Sequence, residues 1–302
     1  MHPQPEASPM SDTGGHASKY RSVFKPGLFA GQRFWVTGGG SGIGRCVAHE
    51  LAALGAELVI SGRKPEKLAA VAAEITEDGG RATCLAFDIR DEDAVRANVA
   101  QALKAGPISG LVNNAGGQFP SPLAFISKKG FDAVVANNLT GGFLMMRELF
   151  TQCFAQHGGA IVNMTADFKN GMPTMGHSGA ARAGTSNLTQ TAAFEWAHAG
   201  VRVNAVAPGW VASSGMDSYG DAIKDHIRGL KKHVPLRRLA EEAEISAAIV
   251  FLLSPGAAFI TGVTLQIDGG ASLGQAAFPT ADHSRSLPFE GFHRAVKPLV
   301  LR

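Results

Sequence analysis

The chain has 302 residues, enough for one large or two average domains and for a sizeable core. Hydrophobic residues make up 45% and charged residues 18%, and 28 basic against 25 acidic residues form no long block of one sign, so neither nucleic acid nor an acidic surface is an expected partner. Cys46, Cys84 and Cys153 are odd in number and form no C-x-x-C pair; they are expected as reduced core residues in a reducing compartment, not as a disulfide frame or metal site.

Residues 1–22 carry Pro, Ser, Gly and His without the apolar stretch of a secretory signal, and they are expected to form a flexible arm, disordered or loosely docked. No run approaches the ~18 apolar residues of a membrane span. A cytoplasmic protein is the expectation. Arg33-Phe34-Trp35-Val36 then reads as a strand, Thr37 to Gly44 as a glycine-rich turn, and Cys46 to Leu54 as a helix of 3.6 period. Glycines bring the backbone within contact of a pyrophosphate, and a helix starting near Ser41 aims its free N–H groups at that anion. The expected ligand is a dinucleotide, held by Gly38, Gly40, Ser41, Gly42, Ile43 and Gly44, although the spacing from Gly38 to Gly42 is wider than G-x-G-x-x-G.

A buried strand over Glu57 to Ser61 ends in Gly62-Arg63-Lys64. An acid at this place would bond the ribose 2′-hydroxyl, whereas a cation accommodates a 2′-phosphate, so Arg63 and Lys64 predict NADP(H). Next come a helix over Leu68 to Ile75, a third strand over Ala82 to Phe87 closed by Asp88-Ile89, and a helix with the acidic first turn Asp91-Glu92-Asp93. A fourth strand, Ile108 to Val112, runs into Asn113-Asn114-Ala115-Gly116. Alternation of strand and helix builds an α/β doubly wound parallel sheet, whose ligands bind outside the C-terminal strand ends. The glycine turn, Arg63, Asp88 and the Asn113–Gly116 turn share that rim. The remaining elements are a long helix over Phe131 to Phe154, a strand over Ala160 to Met164, a helix over Ser178 to His198, a strand over Val201 to Val206, a helix over Glu241 to Leu253 and a strand over Val263 to Ile267.

The motifs Thr37-Gly38-x-x-x-Gly42-x-Gly44, Asn113-Asn114-Ala115-Gly116, Asn137-Asn138-Leu139-Thr140-Gly141, Asn163 before Met164-Thr165, Pro208-Gly209 and Ile267-Asp268-Gly269-Gly270 resemble the short-chain dehydrogenase/reductase superfamily. The resemblance runs from about residue 31 to 270. Within it, residues 114–119 and His177-Ser178-Gly179-Ala180-Ala181-Arg182-Ala183-Gly184 are similar to the trans-2-enoyl-CoA reductases and their 2,4-dienoyl-CoA reductase relatives. The resemblance implies one Rossmann-like domain over residues 23–270 with a seven-stranded parallel sheet, a substrate lid at about 211–235, a tail over 271–302 and a homotetramer. It also implies cofactor contacts at Asp88, Ile89, Asn114, Ala115, Gly116, Pro208, Gly209, Val211 and Ser213, and an acyl-CoA or another hydrophobic small molecule as substrate.

Most of that superfamily works with Ser, Tyr, Lys and Asn. Alignment places Arg182 at the Lys, Ser178 at the Tyr, and Thr165 or Ala166 at the Ser, of which only Thr165 has a hydroxyl. Carbonyl reduction needs an immediate proton for oxygen. Saturating the C=C of an enoyl thioester instead leaves an enolate, which needs fixed donors at oxygen and a separate proton at Cα. Thr165 and Arg182 are the expected donors, with Arg182 as an alternative holder of the nicotinamide ribose; Asn138 is expected to bend its helix and hold a water. Phe168 stands where the dienoyl-CoA relatives carry a tyrosine. Of the two tyrosines in the chain, Tyr20 lies in the arm, and Tyr219, followed by Gly220, could donate the Cα proton from the lid or merely pack it. His177 reads as a proton relay or a structural cap, Asp167 and Lys169 as a solvated loop pair or site residues, and Glu195 with His198 as surface residues rather than a metal site. An alcohol or ketone dehydrogenase of a hydrophobic substrate such as a terpenoid, and a dinucleotide-binding protein without catalysis, are the competing readings.

Overall fold

The structure is a computed structural model that describes residues 19–218, 221–273 and 281–302. Seven strands, β1 (Arg33–Thr37), β2 (Glu57–Gly62), β3 (Arg81–Ala86), β4 (Gly110–Asn113), β5 (Gly159–Met164), β6 (Val201–Pro208) and β7 (Thr264–Ile267), form one sheet in the order 3-2-1-4-5-6-7. Every pairing is parallel. The helices are α1 (Gly42–Ala53), α2 (Pro65–Glu77), α3 (Glu92–Leu103), α4 (Lys128–Val135), α5 (Gly141–Leu149), α6 (Ala155–His157), α7 (Gly176–Glu195), α8 (Asp221–Gly229) and α9 (Glu242–Leu253). None of the described helices is long and apolar enough to cross a membrane.

Period-two alternation gives the sheet two buried faces. Phe34, Val36, Leu58, Ile60 and Val162 pack with α1, α2 and α9, whereas Trp35, Val59 and Ile161 pack with α3, α5 and the end of α7. Chain order reverses between β1 and β4, which opens the crevice at their C-terminal ends. Several helix starts follow local chemistry: Pro65 opens α2, where its fixed φ suits the first turn. The Asp91 carboxylate accepts from the Ala94 N–H at the start of α3.

Two expectations need correction, and a third is made definite. The helix expected over Phe131 to Phe154 begins at Lys128 and is interrupted by π-helical turns at Ala136–Thr140 and Phe150–Phe154. Cys84 is exposed, because β3 is the edge of the sheet; Cys46 and Cys153 are buried. The end of the expected arm is docked: Tyr20 is only 5% exposed, and its hydroxyl donates to Glu50 Oε2 at 3.2 Å. Ser22 and Ser246 donate to the same buried carboxylate.

The tail completes this outer face. Phe292 packs on the Tyr20 ring and under the Arg45 guanidinium, and Arg294 forks onto Asp78 with two 3.0 Å bonds. Val300 is buried among Met216, Ile227 and Leu230, and its N–H donates to Asp217 Oδ1. Phe292→Ala is therefore expected to cost about 3 kcal/mol, read as a fall in Tm, whereas Phe125→Ala, at an 80% exposed side chain, leaves Tm near the wild type.

Buried Glu242 stands at the start of α9, facing Gly42 of α1. Burial, only partly offset by Arg45, pushes its carboxyl from 4.5 up to about 7. Between those values the unfolded chain holds fewer protons than the folded one, so stability falls as pH rises through the window, by on the order of 3 kcal/mol. Denaturant unfolding below and above the window should show this fall in the wild type and a smaller one in Glu242→Gln.

Candidate active site

The cofactor cradle is built where β1 and β4 end side by side. Thr37 Oγ1 accepts the N–H groups of Asn114 and Ala115, each at 2.9 Å, and Asn114 Nδ2 donates back to the Thr37 carbonyl at 3.0 Å. Gly44 closes α1 onto this junction: a Cβ there would lie 2.4 Å from the Gly38 carbonyl oxygen and 2.5 Å from Asn114 Nδ2. No side chain caps the N-terminus of α1 at Ser41, so the first N–H groups, around Gly42 and Ile43, present the donors and dipole that an anion takes. The cradle fits the pyrophosphate of a dinucleotide.

Arg63 and Lys64 leave the end of β2 exposed. Lys67 joins them, its Cβ 3.1 Å from the place a Cβ on Gly40 would take. Asp88 accepts from the Arg90 backbone and guanidinium, and that cation, with Arg63 farther off, holds its carboxyl below the ordinary range. Ile89 is buried beside it. At the other end of the crevice Pro208 closes β6, Gly209 donates its N–H to Ile267, Val211 bridges Ala240, and the Ser213 N–H donates to Val211.

Helix α7 turns Ser178 and Arg182 toward the sheet, and both are buried. Ser178 Oγ donates to Gln118 Oε1 at 2.5 Å. Arg182 Nη1 donates to the Met164 carbonyl at 2.7 Å, while its Nε is buried with no partner among the described residues. Burial alone pushes the guanidinium down to about 10, so it stays charged near neutrality. No carboxylate among the described residues pairs with it. Its Nη2 would be 2.9 Å from a Cβ on Gly116, which only a glycine avoids.

One expected role changes. Thr165 donates its hydroxyl proton to the Val206 carbonyl at 2.8 Å, so that proton is committed to the backbone and is not free for an enolate. Asn138 is buried in the π-helical turn, but its side chain is spent on Gly117: Oδ1 accepts from the Gly117 N–H at 3.0 Å, and Nδ2 donates to the Gly117 carbonyl at 2.7 Å. It positions the turn after β4. His177 is wholly buried; its Nδ1 accepts from the Ser178 N–H and its ring stands edge-to-face with Phe119, which braces the start of α7. His198 Nδ1 bonds the Glu195 carbonyl, and no cluster suited to a metal occurs among the described residues. Tyr219 and Gly220 lie outside the described residues. Thr37, Lys67 and Gln118 received no role from sequence, since a threonine in a strand, a lysine on a helix and a glutamine in a loop carry no spacing signal.

A family profile described as Enoyl-(Acyl carrier protein) reductase matches residues 38–272. The peroxisomal 2,4-dienoyl-CoA reductase of Danio rerio is 36% identical over 265 residues, 86% of this chain and 87% of that protein. Glucose 1-dehydrogenase of Gluconobacter oxydans is 38% identical over 250 residues, 81% of this chain and 93% of that protein. A solved structure described as a citronellol catabolism dehydrogenase from Pseudomonas aeruginosa is 60% identical, covers 84% of this chain and 100% of its own, and superposes with a TM-score of 0.77. With the sheet order, the glycine cradle and these matches in agreement, the chain belongs to the short-chain dehydrogenase/reductase superfamily and is an NAD(P)-dependent oxidoreductase.

Proposed function

We infer that the protein is an NADPH-dependent reductase that saturates the C=C bond of a hydrophobic 2-enoyl-CoA. The observation that carries this reading is the pair on α7: a serine whose proton goes to Gln118, and a buried guanidinium with no carboxylate partner among the described residues. Neither gives up a proton near neutral pH. A buried unpaired cation is costly, and an anion delivered by the ligand offsets that cost. Arg182 is placed to steady the enolate oxygen that develops during C=C reduction, or the nicotinamide ribose; Ser178 and Gln118 orient the acyl group beside it. Bound NADPH supplies the hydride. Asn138 holds the Gly117 turn, Thr165 stiffens the end of β5, and Gly38, Gly40, Ser41, Gly42, Ile43 and Gly44 hold the pyrophosphate. Residues 211–235, Tyr219 included, act as the lid in this reading, and the enzyme works as a cytoplasmic homotetramer.

A second reading, oxidation of a hydrophobic alcohol such as citronellol, is favoured by the 60% identity to the citronellol catabolism dehydrogenase. One assay separates the two. NADPH consumption with trans-2-octenoyl-CoA, and no NAD(P)H formation with citronellol, is the expected result. The reverse pattern installs the alcohol dehydrogenase, and cofactor binding without turnover of either points to a protein that has lost catalysis.

The cations Arg63, Lys64 and Lys67 support NADPH over NADH, because each suits a 2′-phosphate and basic residues, not an acid, follow Gly62 directly at the end of β2. Arg63→Asp is expected to weaken NADPH binding by roughly 10- to 100-fold and to leave NADH binding nearly unchanged. Fluorescence titration with both cofactors checks this, and equal affinities in the wild type would refute the preference.

A further inference from the structure

Glu242, the first residue of α9, stands beside the cofactor cradle and takes no part in the chemistry above. It is 7% exposed, and its Oε1 lies 3.9 Å from the place a Cβ on Gly42 would take. Gly42 opens α1 with a φ of +57°, and outside the adjoining backbone no other atom of the described residues comes so near on that side. The carboxyl therefore borders the helix end whose free N–H groups suit a pyrophosphate. Its neighbour Glu244 is occupied, by Arg238 at 2.6 and 2.7 Å and by the Glu241 N–H at 2.9 Å. The Glu242 side chain takes no hydrogen bond among the described residues.

The charges around it offer little compensation. From α1 come Arg45, whose guanidinium is forked onto Glu74 at 2.7 and 2.9 Å, and Cys46, whose thiol is kept neutral by burial. Glu50, one turn farther along α1, is held by Tyr20, Ser22 and Ser246. In its own turn Glu241 opposes a second negative charge, and Lys297 and Glu290 of the tail act on Glu241. An ionised Glu242 is thus steadied by the distant Arg45 and by the positive end of α1. A dinucleotide brings two phosphate charges to that same end and takes its donors. Ionised Glu242 and bound pyrophosphate then repel one another, whereas a neutral carboxyl meets the pyrophosphate without repulsion.

We propose that Glu242 couples dinucleotide binding to pH: its carboxylate takes a proton from solvent as the pyrophosphate settles on α1, and cofactor affinity falls as the solution becomes alkaline. One O–H bond forms at the carboxyl and no other bond changes. In the free protein the carboxyl titrates at about 7, which places the exchange near neutrality. Below that value the group is neutral with and without cofactor, so affinity is level. Above it the free protein gives up the proton while the complex retains it, and affinity declines until the complex ionises as well. The coupling needs only a dinucleotide in the cradle and holds for either substrate reading.

Calorimetric titration with NADPH, in HEPES and in Tris at about pH 7.5, counts the protons exchanged, because the two buffers differ in heat of ionisation. The 2′-phosphate of NADPH titrates near pH 6 and contributes alike to wild type and Glu242→Gln. The wild type is expected to take up about half a proton more than the Gln variant. By fluorescence the two proteins should bind NADPH equally at about pH 6, and the wild type about tenfold more weakly than the variant at about pH 9. NADH, which lacks the 2′-phosphate, gives a readout on the wild type alone, and its affinity should fall about tenfold over the same range. Equal proton counts or parallel pH profiles in the two proteins overturn the inference. So does an NADH affinity that stays level, which decides the matter even where the Gln variant fails to fold.

Discussion

Two amide protons converge on one hydroxyl oxygen, Thr37 Oγ1, and the crevice depends on that junction. It ties the end of β1 to the end of β4 where the strand order reverses, the point at which a parallel sheet opens to a ligand. The same threonine carbonyl accepts from Asn114, so the glycine turn and the Asn114–Gly116 turn are held as one piece. Helix α1 closes on this piece only because Gly44 has no side chain to strike the Gly38 carbonyl. Cofactor binding and the closeness of helix to strand are one constraint.

A second chain of contacts leads from that junction to Ser178 and Arg182 on α7. Gly116 leaves room for Arg182, Gly117 is gripped on both its backbone groups by Asn138, and Gln118 receives the Ser178 proton. Three successive residues thus connect β4, the π-helical turn and α7. The π turn has a local reason: Asn138 Nδ2 also bonds the Val134 carbonyl four residues earlier, which takes that carbonyl's attention from the regular helix ladder. A buried amide with both ends satisfied is rigid, and rigidity here fixes where the guanidinium points.

The tail and the end of the arm form a third system on the opposite face of α1. Glu50, buried and raised by desolvation, is satisfied by three hydroxyls from Tyr20, Ser22 and Ser246. Phe292 and Arg294 then cover α1 and α2, and Val300 reaches Met216, Ile227 and Leu230. The tail thus links the outer face of α1 and α2 to Met216, Ile227 and Leu230.

The alternation of apolar runs with glycine turns, read along the sequence, was sufficient for the parallel α/β fold, the place of the cradle and the rim that carries the site, because these follow from period and turn chemistry over neighbouring residues. The absence of a tyrosine and lysine from α7 was equally legible, since residue identity needs no coordinates. Which protons are free was not. Thr165 was expected to offer its hydroxyl to the ligand and Asn138 to hold a water, and the tertiary structure commits them to Val206 and Gly117, partners 41 and 21 residues away. The docking of Tyr20 and the tail escaped notice because polar, proline-containing segments carry no periodic signal, and their burial is decided by Phe292 and Glu50 meeting across most of the chain. Local pattern determines where the backbone goes; whether a polar side chain is satisfied by protein or left for a ligand depends on long-range neighbours that only the folded structure brings together.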